Sequence, residues 1–403
     1  MRNFNQLLSL AAILSAAAQL FAQSTNNVSL KPQPTHLYQV TRRRTVDGQD
    51  RTQFGFIDKT GQMVIGYDRF PQDTWYVGEF HEGFAVIHIG KSYADLTVAV
   101  GYVDTTGNIA IPTRFTYARD FSEGLAYVES KEYRGYIDRH GKLIIRIDSL
   151  ARAFGVDPEK ISGRDFHEGL AAIGTGTWST SPYARDDATF GGKWGYINRA
   201  GKLVIPPAYR FADNFSEGLA GVVVDKLYGF IDTNGKLVVA PRFLPTAGGP
   251  PHYLGITGTS RFHEGRALVH EELYASYGYI DRTGRYAISP RFVWANDFSE
   301  GNSWVEERDP TTGQITERGW INRAGSWIMR IKNRGVWSSK KFSEGLAAIW
   351  RGSDSKCGYI DHDGVEVIRP AFYNCSEFVG GIAKVSQNSM LTYIDRTGRI
   401  IWQ

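Results

Sequence analysis

The sequence predicts an all-β fold made of tandem repeats, and two observations lead to that prediction. The chain contains 44 Gly with 10 Trp, 21 Tyr and 22 Phe but only 4 Met, which favours short strands and tight turns over helices. Two short motifs also recur along the chain, one of them at nine places. Such a repeat cannot bury its apolar face alone, so neighbouring units are expected to cover one another.

The N-terminal segment has the features of an export signal. Arg2 gives it a positive start, an apolar run covers 7–18, and small residues follow. We expect residues 1–22 to be a signal peptide cleaved after Ala22, with Ala18 as the alternative site, and 23–35 to be a linker. The mature chain would then be periplasmic or extracellular. After the signal segment, no apolar stretch of the sequence approaches the ~18 residues of a membrane span, so we expect no transmembrane segment in the mature chain.

The first motif reads Gly, aromatic, Ile or Val, then Asp or Asn, and a second Gly always follows three residues after the acid or amide. Asp or Asn at the first position and Gly at the fourth are typical of a type I turn closed by a left-handed residue. A β-hairpin is therefore predicted at each copy. The nine turn-opening residues are Asp58, Asp104, Asp138, Asn198, Asp232, Asp281, Asn322, Asp361 and Asp395.

The second motif is F-x-E-G, and a short apolar strand follows each copy. Every unit then has three strands, which are this strand, the G-Y-I-D strand and the strand that returns after the turn. The repeats cover 36–403, with insertions near 147–165, 174–193 and 244–261, the first of which looks helical from Asp148. The seven intact copies occupy 80–83, 121–124, 166–169, 215–218, 262–265, 298–301 and 342–345, and a degenerate copy occupies 378–381.

We expect the nine units to stack as an open β-solenoid, with a closed β-propeller as the alternative. The shortest spacing between copies is 34 residues, whereas propeller blades usually have four strands and about 40–50 residues. The chain also begins on a first strand and ends on a third strand, so it lacks the split blade that often closes a ring.

These motifs resemble the WG-repeat (KWG-repeat) proteins of bacteria, whose consensus is approximately F-S-E-G-L-A-x-V followed by K-W-G-Y-I-D-x-x-G-K-x-V-I-x-P. Residues 193–198 read K-W-G-Y-I-N and carry the Trp-Gly pair itself, whereas most units replace this Trp. The resemblance covers about 36–403. It implies a repeat module with few defined activities.

Charge and cysteine content restrict the possible partners. The formal net charge of +4 is too small and too dispersed to predict binding to nucleic acid. The one basic cluster, Arg42 to Arg44, is either a docking surface for an anionic polymer or, as we favour, a solvated edge. Cys357 and Cys375 could form one disulfide in an exported chain, or could both be small buried residues.

The repeated carboxylates are predicted to be structural. A catalytic pair needs two groups in different environments, whereas this Glu occurs seven times and this Asp seven times in nine, always in the same local sequence. Asn replaces Asp at 198 and 322, which a turn tolerates and acid–base chemistry does not. The sequence also lacks the usual phosphate-loop and zinc motifs, so we expect no cofactor and no metal.

Two functional hypotheses follow. We favour a non-catalytic exported protein that binds or scaffolds a cell-envelope glycan or another protein; the alternative is a glycan hydrolase with its carboxylates in the insertions, at Asp157, Glu159, Asp186 and Asp187. Aromatic residues outside the repeat pattern could stack on sugar rings or hold a peptide, or could fill the core between units. These candidate ligand-binding residues are Trp178, Tyr183, Trp294, Trp304 and Trp337.

Overall fold

A computed structural model describes the repeat region. It covers residues 36–403 except for 47, 91–97, 152–153, 155, 176–192, 245–260, 272–275, 310, 332–335, 340, 352–355 and 389. These residues belong to one compact unit, His36–Gln403. The expected signal peptide and linker, most of the insertion near 174–193 and most of the insertion near 244–261 lie outside the described residues.

The described residues form eight antiparallel sheets arranged as a β-propeller, which confirms the all-β prediction. The first sheet contains β1 (Tyr38–Val46), β2 (Gln49–Ile57) and β3 (Met63–Ile65), and the second contains β4 (Thr74–Val77), β5 (Phe84–Ile89), β6 (Ala99–Asp104) and β7 (Ile109–Phe115). The third sheet contains β8 (Tyr117–Ala118), β9 (Ala126–Glu129), β10 (Arg134–Ile137) and β11 (Leu143–Arg146). The fourth contains β12 (Ile161–His167), β13 (Leu170–Thr175), β14 (Lys193–Asn198) and β15 (Leu203–Tyr209).

The remaining sheets continue the same order along the chain. The fifth sheet contains β16 (Phe211–Ala212), β17 (Leu219–Val224), β18 (Leu227–Asp232) and β19 (Leu237–Phe243). The sixth contains six strands, β20 (Ala267–Val269), β21 (Tyr277–Ile280), β22 (Tyr286–Ala295), β23 (Asn302–Arg308), β24 (Ile315–Asn322) and β25 (Trp327–Arg330). The seventh contains β26 (Val336–Ser339), β27 (Ala347–Arg351), β28 (Lys356–Ile360) and β29 (Glu366–Phe372), and the eighth contains β30 (Ile382–Gln387), β31 (Met390–Asp395) and β32 (Ile400–Trp402).

Eight sheets hold nine repeat units because the long strand β22 serves two of them. Its first part pairs with β21 and its last residues pair with β23, so two units merge into the six-stranded sheet. In most other units a separate short strand, such as β8, precedes F-x-E-G and pairs with the strand after it. The prediction of three strands per unit therefore missed a fourth, which is only two residues long in β8 and β16.

The nine predicted hairpin turns are all present. In each turn the Oδ1 atom of the Asp or Asn accepts the backbone N–H groups two and four residues later, as Asp281 does from Thr283 and Arg285. Asn198 makes the same two bonds, which explains why the amide replaces the acid. The closing Gly has a φ between 74° and 86° in every copy, the left-handed conformation that Gly adopts without strain.

The F-x-E-G motif forms a two-residue hairpin turn with positive φ at both central residues, as in type I′ turns. In the seven intact copies φ is 52° to 55° at Glu and 75° to 87° at Gly. Ser122 and Leu125, which flank one of these turns, exchange both backbone hydrogen bonds. The motif therefore shapes the entry to the second strand of each unit, as its repetition indicated.

The same motif joins each unit to the next. The Glu carboxylate accepts the backbone N–H of the Gly in the following copy at 2.8 to 3.0 Å, and this bond occurs at seven successive interfaces. Where the second position is Ser, its hydroxyl donates to the Phe carbonyl of the next copy, as from Ser122 to Phe166 at 2.6 Å. The Phe ring packs against the aromatic ring of the preceding G-Y-I-D strand, for example Phe121 against Tyr102 with centroids 4.9 Å apart.

The apolar core is divided among the interfaces between units. Nine clusters of buried residues occur in the described part of the chain, and each contains residues of two adjacent units. Eight of them join consecutive units, and the ninth joins the first unit to the last through Tyr38, Val40, Ile57, Ile382 and Tyr393. An open array of nine units would have only eight interfaces, so the ninth cluster closes a ring.

Specific contacts hold this seam together. The Tyr393 hydroxyl donates to the Gln39 carbonyl at 2.7 Å, and the Tyr38 hydroxyl donates to the Val379 carbonyl at 2.7 Å. Gly61 of the first unit packs closely against Ile401 of the last unit, since a Cβ added to Gly61 would lie 3.0 Å from Cγ2 of Ile401. The same close packing occurs inside the array, where a Cβ added to Gly141 would lie 2.9 Å from Cγ2 of Ile111.

The open solenoid predicted from the sequence is therefore wrong, and the alternative, a closed propeller, is correct. The units close without a split blade because side chains rather than an exchanged strand join the first unit to the last. The insertion after β11 forms a short helix α1 (Asp148–Ala151) and a 3-10 turn at Pro158–Lys160, as its sequence predicted.

Candidate functional site: a cleft beside the first hairpin

The aromatic residues proposed from the sequence occupy different environments. Trp294 on β22 is 37% exposed, so part of its side chain is accessible to a ligand. Trp304 is only 1% exposed and packs edge-on against Trp320 at 4.7 Å, so it is corrected to a core residue. Trp337 lies on β26, and its side chain is outside the described residues, as are Trp178 and Tyr183.

Trp294 has a carboxylate opposite it. Trp294 pairs with Glu306 on the neighbouring strand β23. Burial raises the pKa of Glu306, while Arg318 and a hydrogen bond from Trp304 act in the opposite direction. An exposed indole beside a half-buried carboxylate is a surface on which a sugar or a peptide could rest.

The carboxylates proposed for a hydrolase do not form a pair among the described residues. Asp157 and Glu159 are exposed, and Asp157 forms an ion pair with Lys160 at 3.0 Å. Asp186 and Asp187 lie outside the described residues. No group of three or more His, Cys, Asp or Glu side chains in the described part of the chain could hold a metal ion.

The two cysteines form a disulfide with the sulfur atoms 2.11 Å apart. It links β28 to the segment before the degenerate F-x-E-G copy, and both cysteines are buried. The bond therefore crosses from the eighth unit to the ninth.

In the region that the structure covers, no helix is long and apolar enough to cross a membrane.

A belt of ionisable residues lies within two residues before or after the Phe of successive F-x-E-G copies. Arg119 pairs with Asp165 of the next unit at 2.8 Å, and Arg261 pairs with Asp213 of the preceding unit at 3.0 Å. His81 lies 3.5 Å from Asp120 of the next unit. Burial raises the pKa of Asp120, and the neighbouring His81 opposes the increase.

Raised carboxyl pKa values of this kind also occur in general acids, but here the arrangement is repeated. His263 and Asp297 form the same contact at 3.7 Å, and burial likewise raises the pKa of Asp297. Each pair joins two adjacent units, so the belt contributes to the interfaces between units.

A cleft in the first unit lies outside the repeat pattern. Strand β1 is nine residues long, whereas the corresponding strands of the other units have three to seven. The extended β1–β2 hairpin and the segment leading to β4 enclose a cleft of about 190 Å³. Its lining residues are Arg44, Arg51, Thr52, Gln53, Phe54, Tyr67, Asp68, Phe70, Pro71, Gln72 and Thr74.

Basic and aromatic groups meet at this cleft. The Arg42 guanidinium lies 4.4 Å from the centroid of the Tyr67 ring, close enough for a cation–π contact. Arg42 and Arg44 both face Asp68, at 3.3 and 3.7 Å. Burial raises the pKa of Tyr67, and Arg42 opposes that increase. The basic cluster thus borders a concave site, whereas from the sequence we favoured a solvated edge over a docking surface.

Thr74 has an unusual position in the lining. It is 8% exposed, and its hydroxyl has no hydrogen-bond partner among the described residues. Buried hydroxyls are normally paired, because losing water without a replacement partner destabilises the fold. No local sequence pattern points to this group, because only the folded segment brings Thr74 beside the hairpin.

Comparison with known families agrees with the repeat pattern. The model of the WG-containing repeat matches residues 101–132, 194–228, 228–243, 277–309 and 358–390. The chain carries WG repeats. Four of the five WG-repeat matches run from a G-Y-I-D strand through the next F-x-E-G, so each contains both sides of one interface between units. No curated protein matches the chain.

Solved structures similar to this WG-repeat chain have low sequence identity. A Bacteroides caccae protein of unknown function is 17% identical, with 52% of this chain and 89% of that chain covered and a TM-score of 0.23. Apo AztD from Citrobacter koseri is 10% identical, with 82% and 93% covered and a TM-score of 0.34. The β-propeller domain of the Trilobed protease from Pyrococcus furiosus is 8% identical, with 92% and 95% covered and a TM-score of 0.38.

Proposed function

We propose that this protein is a non-catalytic, exported binding or scaffold module for a cell-envelope glycan or protein. The observation that carries the proposal is the first-unit cleft, where the Arg44 and Arg51 side chains and the partly exposed Tyr67 ring lie together outside the repeat pattern. Ligand sites commonly combine apolar walls with a few convergent polar groups. The partly exposed side chain of Trp294 offers a second contact surface on another unit.

The repeated acids support a non-catalytic role. The Asp and Asn side chains accept the N–H groups of their own turns, and the Glu carboxylates accept the N–H of the next unit. Both sets therefore have structural partners in the described units. The proposed export depends on the N-terminal segment, whose sequence has the features of a signal peptide.

A glycan array and a pull-down from cell-envelope extract test the proposal, with the exported protein as the probe. We expect a glycan or an envelope protein to be retained. A matched variant with Asp157, Glu159, Asp186 and Asp187 changed to their amides should retain the same ligand. The proposal fails if nothing is retained, or if a bound glycan is cleaved by the protein but not by the four-amide variant, which is the result expected of a hydrolase.

A further inference from the structure

We propose that the first-unit cleft is an oxyanion site that takes a dianionic phosphoryl group of the protein's ligand. This assignment rests on the proposed binding function and names the chemical group that the cleft recognises. The physical evidence is a pair of arginines opposed across the hairpin, a positive charge that the described carboxylates leave unbalanced, and guanidinium groups that remain accessible.

Two arginines face each other directly across the extended hairpin. Arg44 on β1 is the cross-strand partner of Arg51 on β2. The Cβ atoms of such partners lie about 4.5–5.5 Å apart, and like charges at these positions destabilise a hairpin. An anion held between the two guanidinium groups removes this repulsion. Because side chains alternate along a strand, Arg42 shares the face of Arg44, whereas Arg43 belongs to the opposite face.

The charges around the cleft do not balance. Asp68 is the one carboxylate among the described lining residues, and Arg42 and Arg44 already contact it at 3.3 and 3.7 Å. Arg51 donates from Nη1 to the Gln72 carbonyl at 3.1 Å, and no described carboxylate forms an ion pair with it. Three guanidinium groups therefore face one carboxylate. A phosphate monoester carries a charge of about −1.5 to −2 at pH 7, which matches this excess, whereas a single carboxylate would offset only half of it.

The guanidinium groups remain accessible to a ligand. The Arg42 and Arg44 side chains are 42% and 58% exposed, and Arg51 is partly exposed. Each guanidinium carries five N–H donors in a planar fork that matches pairs of phosphate oxygens. The cleft volume of about 190 Å³ is below the range of about 300–1,000 Å³ that is usual for drug-sized ligands. A small charged group therefore fits between the arginines, while the rest of the ligand stays outside the cleft.

Titration calorimetry on the exported protein in about 0.15 M salt tests the site, with glycerol 3-phosphate as the probe. We expect binding at about pH 7.5 and at least about fivefold weaker binding at about pH 5, because a second phosphate pKa of about 6 leaves mostly the monoanion there. Sulfate keeps its double charge at both pH values and should bind equally at each. Acetate, with a single charge, should bind at least about tenfold more weakly than glycerol 3-phosphate.

Substitutions in the lining and on the opposite face separate a specific site from general charge. Arg51→Gln should weaken glycerol 3-phosphate binding by about tenfold, whereas Arg43→Gln removes the same charge from the opposite face and should change binding by less than about twofold. Asp68→Asn should strengthen binding by about threefold or more, because the acid no longer competes for the guanidinium groups. Asp50→Asn is its control, since the Asp50 carboxylate accepts from the Thr45 hydroxyl outside the lining, and should change binding by less than about twofold.

Arg44→Gln separates a ligand contact from a structural role. It removes one charge of the opposed pair, so the melting temperature without ligand should stay equal or rise, while glycerol 3-phosphate binding weakens. The site is refuted if Arg43→Gln weakens binding as much as Arg51→Gln, if Asp68→Asn does not strengthen it, or if acetate binds as tightly as glycerol 3-phosphate.

Two further measurements distinguish the sources of the phosphoryl group, and either result supports the site. Sedimentation with vesicles of phosphatidic acid in phosphatidylcholine identifies a lipid headgroup, whereas competition by inorganic phosphate without vesicle binding identifies a soluble phosphate. An envelope ligand that is retained equally by Arg51→Gln and in excess glycerol 3-phosphate overturns the phosphoryl site but leaves the proposed function intact. Binding of glycerol 3-phosphate without any retained envelope ligand refutes the proposed function alone.

Discussion

At the scale of single residues, the recurring Glu of F-x-E-G combines an unfavourable backbone with a favourable contact. Its φ of 52° to 55° lies in the left-handed region, where residues other than Gly incur roughly 1–2 kcal/mol of strain. Its carboxylate accepts the N–H of the next unit's Gly, as Glu123 does from Gly169 at 2.9 Å. Hydrogen bonds to charged groups contribute about 1.5–3 kcal/mol, which can offset the strain.

Glu123→Ala should therefore lower the free energy of unfolding by about 1.5–3 kcal/mol, measured by denaturant titration at pH 7. Glu123→Gln keeps an acceptor oxygen and should cost less. Glu132→Ala is the matched control, because Glu132 is exposed in the same unit and lies outside the motif. Equal losses in Glu123→Ala and Glu132→Ala would show that the bond between units contributes nothing.

The sequence predicted that this Glu and Gly are structural, because seven copies in the same surroundings cannot form one catalytic pair. It did not predict that the Glu reaches the neighbouring unit. The partner Gly169 lies 46 residues from Glu123, and local sequence patterns report turn geometry rather than contacts at that separation.

At the scale of the structural element, the D-x-x-G hairpins couple turn geometry to protonation. A hydrogen bond from the Thr283 side chain is the largest effect that lowers the pKa of Asp281, and the backbone N–H groups of Thr283 and Arg285 act in the same direction. The folded-state pKa is thus below the unfolded value of about 3.9. The ionised Asp281 in this turn therefore stabilises the fold fully at pH values above the unfolded-state pKa of about 3.9. This stabilisation is lost as the pH falls through the lower folded-state pKa.

Asp281→Asn should lower stability at pH 7 only slightly, because the amide keeps the N–H bonds of the turn, as Asn198 and Asn322 do, but loses the contribution of the ionised carboxylate. Between about pH 5 and pH 3 the variant should lose less stability than the parent protein, since the amide does not titrate. Urea unfolding at several pH values measures both effects. Asp73→Asn, at an exposed position outside the D-x-x-G turns, should retain the parent's acid dependence, and the same dependence in Asp281→Asn would contradict the prediction.

Hairpins of this kind are the part of the fold that sequence predicts well. The spacing of Asp281 and Gly284 is sufficient, because the acid cap and the left-handed Gly are both local requirements. The two-residue strand β8 escaped prediction, since so short a run has no measurable alternation and becomes a strand only by pairing with β9.

At the scale of the whole molecule, closure makes the two ends of the repeat region neighbours. Tyr38 and Tyr393 pack edge to face with centroids 5.7 Å apart although 355 residues separate them in the sequence. The seam lacks one of the bonds found elsewhere, because Gly380 stands at the Glu position of the last F-x-E-G copy. Tyrosine hydroxyls and the ninth apolar cluster join the ends instead.

Tyr393→Phe should remove about 1 kcal/mol of stability and increase hydrogen exchange in both β1 and β30–β32. Tyr136→Phe removes the equivalent hydroxyl inside the array and should affect the third and fourth units instead. Hydrogen exchange followed by mass spectrometry distinguishes the two patterns. Unchanged exchange in β1 after Tyr393→Phe would mean that the ring is not held closed there.

Closure and the cleft both depend on contacts that no local pattern encodes. In the sequence Tyr38, Tyr393 and Ile401 are ordinary strand residues, and only their meeting across the seam shows that the array is a ring. The basic cluster at Arg42 to Arg44 was visible, but the opposing segment from Tyr67 to Thr74 that makes it concave was not.

The bond from each Glu to the next Gly also gives the ring a direction. The acceptor always belongs to the earlier unit and the donor to the later one, so each of the third to eighth units carries both halves of a head-to-tail joint. Duplicating an internal unit would add one acceptor and one donor together, and no compensating substitution would be required. The number of units in such a ring can therefore change by whole repeats, provided that the curvature still brings the two ends together.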